Sequence, residues 1–164
     1  MSAEQNKTLY RRWLMEVWND ANYDVASELL AEDLIDHTPM EGQPKGREGD
    51  LWAARMIRAA FPDMKFEPVV VFADDEYVAG RWTMTATHTG EFAPMGVPPT
   101  GRPVKMGGQE IFKVRDGKLA EVWHVEEEGS MLTQLGLGPP PRPLIRMMAK
   151  RSAKQYRRML RKSR

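Results

Sequence analysis

Residues 117–136 read Gly-Lys-Leu-Ala-Glu-Val-Trp-His-Val-Glu-Glu-Glu-Gly-Ser-Met-Leu-Thr-Gln-Leu-Gly. Arg115-Asp116-Gly117 just before them is a tight-turn sequence, so the stretch begins as the second arm of a hairpin. It then alternates with a two-residue period. Leu119, Glu121, Trp123, Val125 and Glu127 share one face, and Ala120, Val122, His124 and Glu126 share the other. A short helical segment follows, with Met131, Leu132 and Leu135 apolar and Gly136 as its stop. A strand that mixes tryptophan, valine and glutamates cannot bury all of them cheaply. Either the glutamates face water, or one lines a cavity where a carboxylate has chemistry to perform.

Before this strand come helical patterns, then strands. Ser2 to about Asn19 is an expected amphipathic helix, with Leu9, Tyr10, Trp13, Leu14, Val17 and Trp18 at helical spacing and a capping box from Ser2 and Gln5. A second helix is expected over about 23–31. Leu34, Ile35 and His37 form a short extended piece before Thr38-Pro39, and a third helix runs from about 48 to Phe61, with Trp52, Met56 and Ala60 on its stripe and Pro62 as its stop. Strands are expected at Phe66–Phe72, Glu76–His88 and Val104–Val114, with 96–101 a proline- and glycine-rich loop. Helices first and a meander afterwards imply an α+β domain, a curved antiparallel sheet with helices packed on one face. Such a cone encloses a cavity, the usual place for a small ligand.

The 164-residue length suits one domain, here 1–138, followed by a proline-led tail, 139–164. The chain has no cysteine, which excludes disulfides, thiolate zinc sites and cysteine nucleophiles and fits a cytoplasmic protein. The start of the chain lacks the charged-then-apolar pattern of a signal peptide, and no apolar run approaches the roughly 18 residues of a membrane span. The formal charge of +1 hides an asymmetry. Residues 139–164 carry ten Lys or Arg and no acid, leaving 14 basic against 23 acidic residues, a net −9, in 1–138.

Several motifs, in order, resemble the SnoaL-like polyketide cyclase family of the nuclear transport factor 2-like (ketosteroid isomerase-like) superfamily. They are Asp33-Leu34-Ile35-Asp36-His37, Ala60-Phe61-Pro62-Asp63, Arg81-Trp82-Thr83 leading to Thr87-His88-Thr89-Gly90, Pro99-Thr100-Gly101-Arg102, Asp116-Gly117-Lys118 with Glu121 and Trp123, and Gln134-Leu135-Gly136. The resemblance spans about 33 to 136 and implies the cone-shaped fold. It also implies an acid/base carboxylate four residues beyond the strand tryptophan. That place is Glu127, a glutamate where the family usually has aspartate; a histidine common on the preceding strand, near Phe112, is absent. A bulge at the strand end would hand the role to Glu126.

Glu127 is therefore the expected base, and an apolar cavity would raise its pKa toward neutrality. Glu110, mid-strand, is either a second cavity carboxylate or a cross-strand partner of Arg81, the buried pair being preferred. His37, His88 and Arg81 are candidates for orienting polar groups of a ligand. Trp52, Met56 and Trp123 are core residues first and candidates for contact with a flat hydrophobic ligand second. Three histidines without supporting spacing make zinc improbable, and neither a nucleophile elbow nor a phosphate-cradling glycine loop is present, so no metal, cofactor or nucleotide is expected.

The expected protein is thus a cofactor-free SnoaL-like cone acting on a small hydrophobic carbonyl compound by acid/base chemistry, as an aldol-type cyclase or isomerase. A homodimer through the open sheet is expected. Alternatives are a non-catalytic small-molecule-binding module, and an interaction protein in which the basic tail matters most. In that tail Ile145, Met148, Ala149, Ala153, Tyr156 and Met159 make one helical face among cations. An anionic surface would suit it, though no specific nucleic acid is expected. The competing readings are a helix lying on its own acidic domain, on a dimer mate, or solvated and disordered, and the −9 body favours self-docking.

Overall fold

The fold is known from a computed structural model describing residues 1–162, with side chains described through Met159. The last two residues of the expected tail lie outside the described residues. Helix α1 (Ala3–Arg12) starts on the expected capping box: Gln5 N–H donates to Ser2 Oγ, and Ser2 N–H donates to the Gln5 side-chain oxygen. Its continuation, Trp13–Asn19, widens into a π-helix, a form common at functional sites, and Trp13, Leu14 and Trp18 of that segment face the cavity described below. A 3₁₀ turn (Tyr23–Val25) and the single-turn α2 (Ala26–Leu29) replace the expected second helix, because the chain turns extended at Leu30.

Strand β1 (Leu30–Asp36) leads to α3 (Arg47–Ala60), and four strands follow: β2 (Lys65–Ala73), β3 (Tyr77–Thr87), β4 (Pro103–Arg115) and β5 (Lys118–Glu126). They form one open sheet in the order β1-β5-β4-β3-β2. The meander from β2 to β5 is antiparallel as expected, while β1 adds a parallel edge beside β5 and makes the sheet mixed. The turn between β4 and β5 has both Asp116 (φ 51°) and Gly117 (φ 76°) in the left-handed region, the geometry that matches strand twist. Pro68 sits at a register shift on the edge strand β2, where its missing N–H costs no central ladder bond. Helix α4 (Glu128–Gln134) follows β5 directly, and α5 (Arg142–Lys162) carries the basic tail.

While α5 is exposed along its described length, the helices up to α3 pack on one face of the sheet. Tyr10, Leu14, Val17, Leu29, Phe61, Val78, Phe112 and Leu119 are fully buried there, and their apolar area supplies most of the folding free energy. A register shift opposite Val114 leaves both Leu119 and Ala120 buried, and the alternation of β5 is regular only from Glu121 onward. Val122, His124 and Glu126 turn toward the helices, while Trp123, Val125 and Glu127 turn outward.

Candidate active site

Between helices and sheet lies a cavity of about 250 Å³. Its walls are mostly apolar: Trp13, Leu14, Trp18, Phe66, Met84, Met106 and Phe112 are among them. A few polar groups, Asp36, Asp50, Glu110, His124 and Glu126, converge on it, together with Gln43 from the loop after β1. That mixture is the pattern of a small-molecule site.

Two strand glycines make room for the first polar group. Gly80 lies opposite Glu110 across the β3–β4 ladder, and a Cβ there would sit 2.1 Å from the Tyr10 ring. Gly108 lies opposite Trp82, and a Cβ there would sit 2.2 Å from the indole. Bare backbone at these positions lets both rings lie flat on the sheet. Tyr10 Oη donates to Glu110 Oε1, and Trp82 Nε1 donates to Glu110 Oε2 at 2.7 Å. Glu110 is 4% exposed. Burial pushes its pKa up to about 7 against the lowering effect of the two donors, and the Glu126 charge adds to the rise. Burial and the Glu110 charge raise the Tyr10 phenol as well. Both oxygens of Glu110 are engaged, so this group anchors the wall.

Asp50 enters from the first turn of α3, on the row Asp50, Ala53, Ile57 that lines the cavity. Its Oδ2 accepts from Trp13 Nε1 at 3.1 Å; Oδ1 has no hydrogen bond of ordinary geometry among the described residues, and the buried Trp18 indole N–H is near enough to the carboxyl to help hold its pKa down. Burial raises Asp50 to about 7; the Trp13 N–H opposes the rise, the Asp36 charge adds to it, and His124 opposes it.

The third feature joins β1 to β5. His124 Nδ1 lies 2.6 Å from Glu126 Oε1, and Nε2 lies 3.1 Å from Asp36 Oδ1. Burial alone would lower the imidazole; the two carboxylates outweigh it and lift the pKa to about 10, so His124 is an imidazolium at neutral pH. Burial works against ionisation of Asp36, but bonds from His124, the Thr38 N–H and Gln43 Nε2 hold its carboxyl below the ordinary value. Glu126 Oε2 remains without a protein partner among the described residues. Two carboxyls that border one cavity are thus driven in opposite directions, Asp50 up and Asp36 down, which is how acid and base roles are separated.

Of the residues singled out from the sequence, Glu110 and Glu126 line this cavity, Glu126 through the regular alternation of β5 rather than through a bulge, and the partners of Glu110 are Tyr10 and Trp82. Arg81 does not pair with it. Parity puts Arg81 opposite Gln109 on the outer face, with NH2 3.6 Å from Glu127 Oε1 and both side chains half-exposed. Glu127 is corrected accordingly. It stands on the outer face at the start of α4, accepting the Gly107 N–H at 3.1 Å, because the two-residue period of β5 runs unbroken from Trp123. Trp123 is also outside, stacked on His37 with ring centroids 4.3 Å apart, and His37 Nε2 lies 3.1 Å from Glu121. Trp52 and Met56 are half-buried on the flank of α3, one position away from its cavity row.

His88 is fully buried but borders the core rather than the cavity. Thr100 N–H donates to its Nδ1 at 3.2 Å, which ties down the 88–102 loop, and burial lowers its pKa. The residues missed were Asp36, Asp50 and His124. His124 shares the row of Val122 and Glu126, and Asp50 sits three and seven residues before Ala53 and Ile57, so both periods carried a signal. Among the described residues, no group of three or more His, Cys, Asp or Glu has the geometry of a metal site.

The sequence profile of the SnoaL-like polyketide cyclases matches residues 8–135. The chain belongs to that family. Solved structures agree. It is similar to IdmH, a candidate polyketide cyclase of Streptomyces antibioticus, at 35% identity over 80% of this chain and 99% of that one, with a TM-score of 0.70. It is also similar to AclR, a candidate hydroxylase of Streptomyces galilaeus, at 29% identity over 96% and 98% of the two chains, with a TM-score of 0.71. A candidate polyketide cyclase of Bacillus cereus shares 25% identity over 82% and 83%, with a TM-score of 0.71. Comparison with curated protein sequences gives no match.

Proposed function

We propose that the cavity is the active site of a cofactor-free acid/base enzyme, an aldol-type cyclase or isomerase acting on a small, largely apolar carbonyl compound. The observation that carries this reading is the imidazolium of His124 clasped by Asp36 and Glu126 in the same apolar cavity as Asp50, whose carboxyl is poised near neutrality. Asp50 removes a proton from the carbon next to the carbonyl through its free Oδ1. The electron pair moves onto the carbonyl oxygen, and the positive field of His124 stabilises the enolate. The enolate carbon then attacks a second carbonyl to close a ring, the new alkoxide taking the proton back from Asp50, or the enolate system is reprotonated at another carbon by the acid form of Asp50. A base whose pKa is near 7 balances availability against strength. Glu110 keeps its place as a wall carboxyl that shapes the electrostatics without touching the reacting atoms.

The test uses a small aromatic ketone, 2-tetralone, in D₂O, with loss of its α-protons followed by NMR. Wild-type protein is expected to catalyse the exchange, and Asp50→Asn, which keeps the shape and the Trp13 contact, to slow it by about 10²–10⁴. Exchange by Asp50→Asn at the wild-type rate would remove Asp50 from the base role. A wild-type protein that binds the ketone without exchanging it would turn the reading to a binding module.

For the outer face we propose a second copy of this chain as partner, on the strength of exposed Ile35, Phe72, Ile111, Trp123 and Val125. Sedimentation velocity should show a dimer that Trp123→Glu dissociates, and a monomeric wild-type protein overturns the idea. The cysteine-free composition suits action in the cytoplasm. No described helix is long and apolar enough to cross a membrane.

A further inference from the structure

The basic tail is the one large feature that the cavity does not use. In α5, Ile145, Met148, Ser152, Tyr156 and Met159 recur at spacings of three and four, and Leu144 and Ala149 flank them. Arg146, Lys150, Lys154, Arg157 and Arg158 recur on the opposite side, with Met147 the one large apolar residue among them, and Lys and Arg continue to the end of the sequence. The helix is therefore divided lengthwise into an apolar half and a cationic half. At 21 residues it is about 30 Å long. Three consecutive prolines, Pro139, Pro140 and Pro141, lead into it and act as a stiff spacer from the domain.

Every side chain of α5 from Arg142 to Met159 is exposed. Ile145, Met148, Tyr156 and Met159 are each between 43% and 59% accessible, so the helix does not lie on its own acidic domain. That removes the reading its charge would favour.

We propose that α5 docks the protein on the surface of an anionic lipid bilayer, lying parallel to it. The two halves of the helix ask for two chemistries side by side. The apolar half needs a hydrocarbon boundary and the cationic half needs anionic groups around it, and a bilayer interface with acidic headgroups provides both. A nucleic acid would satisfy only the cations and leave Ile145, Met148, Tyr156 and Met159 in water. The helix carries too many charges to enter the hydrocarbon core, so it lies on the membrane rather than across it. The net −9 of residues 1–138 repels the same headgroups, and the proline spacer holds that domain away.

The full-length protein is sedimented with vesicles of equimolar phosphatidylglycerol and phosphatidylcholine, and with vesicles of phosphatidylcholine alone. Partition onto the anionic vesicles is expected to be at least roughly tenfold stronger, and to weaken as salt rises from about 0.05 to about 0.5 M. The double variant Met148→Glu with Tyr156→Glu should lose roughly tenfold or more on anionic vesicles. Because both residues are exposed, its thermal melt should match the wild type. Lys150→Gln with Lys154→Gln should weaken binding to anionic vesicles only.

Equal partition onto both vesicle types, or none onto the anionic ones, overturns the proposal. Full anionic binding by the glutamate variant also overturns it. Binding to duplex DNA that is tighter than to vesicles and indifferent to the glutamates would make the tail a polyanion binder. Self-association abolished by the glutamates, with no vesicle binding, would assign the apolar half to a second copy.

Discussion

On the inner face of the sheet, His124 is clasped between Asp36 and Glu126; on the outer face, His37 lies flat on Trp123 with Glu121 at its edge. The ingredients are alike, an imidazole from the β1–β5 edge with carboxylates at hydrogen-bond distance. The inner set borders a largely apolar cavity shielded by the helices, where charges interact strongly and carboxyl pKa values separate. The outer set faces water, where such pairs are weak. Strand parity assigns each residue to one environment or the other, so a one-residue step along β5 separates Trp123 from His124.

The sharpest way to break this comparison is to neutralise both histidines. His124→Gln should slow α-proton exchange of the model ketone by about 10² or more, since it removes the cation facing the enolate and releases Asp36 and Glu126. His37→Gln should leave the rate within about twofold. Similar losses in the two variants would mean that the inner face is not the reacting one.

A second contrast sets two glycines of neighbouring strands against each other. Gly80→Ala puts a methyl group 2.1 Å from the buried Tyr10 ring, which must shift and give up Glu110. The expected loss is about 2–3 kcal/mol of stability in urea unfolding. Gly107→Ala meets only the far ends of two half-exposed side chains, Glu127 at 3.1 Å and Arg81 at 3.3 Å, and should cost less than about 0.5 kcal/mol. Equal costs would show that the inner face is no more tightly packed than the outer.

Both glycines were readable as signals, because glycine inside a strand marks a bulge or a close approach. The alternation of β5, the hairpin at Asp116-Gly117, the capping box and the order of elements were also legible, since each depends on local periodicity or local backbone preference. The direction of each face was not. Glu127 and Glu126 are equally acidic in the sequence, and only the helices packed on one side make one of them internal. On α3 the row Trp52, Met56, Ala60 is more hydrophobic than the row Asp50, Ala53, Ile57, yet the second lines the cavity. A site needs room and a polar group, so its row is the less apolar one. The parallel pairing of β1 with β5, which brings Asp36 to His124, joins residues 88 apart and has no local signature.

The inner face should also carry a pH signature. Asp50 and Glu110 keep their protons to about pH 7 when folded, and His124 keeps its own to about pH 10. In the unfolded chain the carboxyls release theirs near pH 4 and the imidazole near 6.5. From about pH 4 upward the native state therefore binds more protons than the unfolded one, and stability falls as pH rises. Asp36 acts the other way, its contribution present above its unfolded pKa and lost on acidification. Glu110→Gln removes one protonating group. It should be less stable than wild type at about pH 5, by about 1–2 kcal/mol, because Trp82 then faces an amide or Tyr10 loses its acceptor. That deficit should shrink toward pH 9. Parallel stability profiles for the two proteins would show that Glu110 is ionised in the native state.

The smallest effect belongs to Glu127, the residue the family pattern favoured. Its carboxylate is half-exposed, 3.6 Å from Arg81, and accepts the Gly107 N–H. An ion pair in that setting contributes about 0–1 kcal/mol, most of it lost to screening at high salt. Glu127→Gln keeps an oxygen for Gly107, so unfolding should shift by less than about 1 kcal/mol and ketone exchange should stay within about twofold of wild type. The result bears on the whole assignment, because the strand period allows only one parity. If Glu127→Gln lost turnover while Glu126→Gln kept it, the end of β5 would have to turn over in solution, bringing Glu127 to the cavity and His124 out of it.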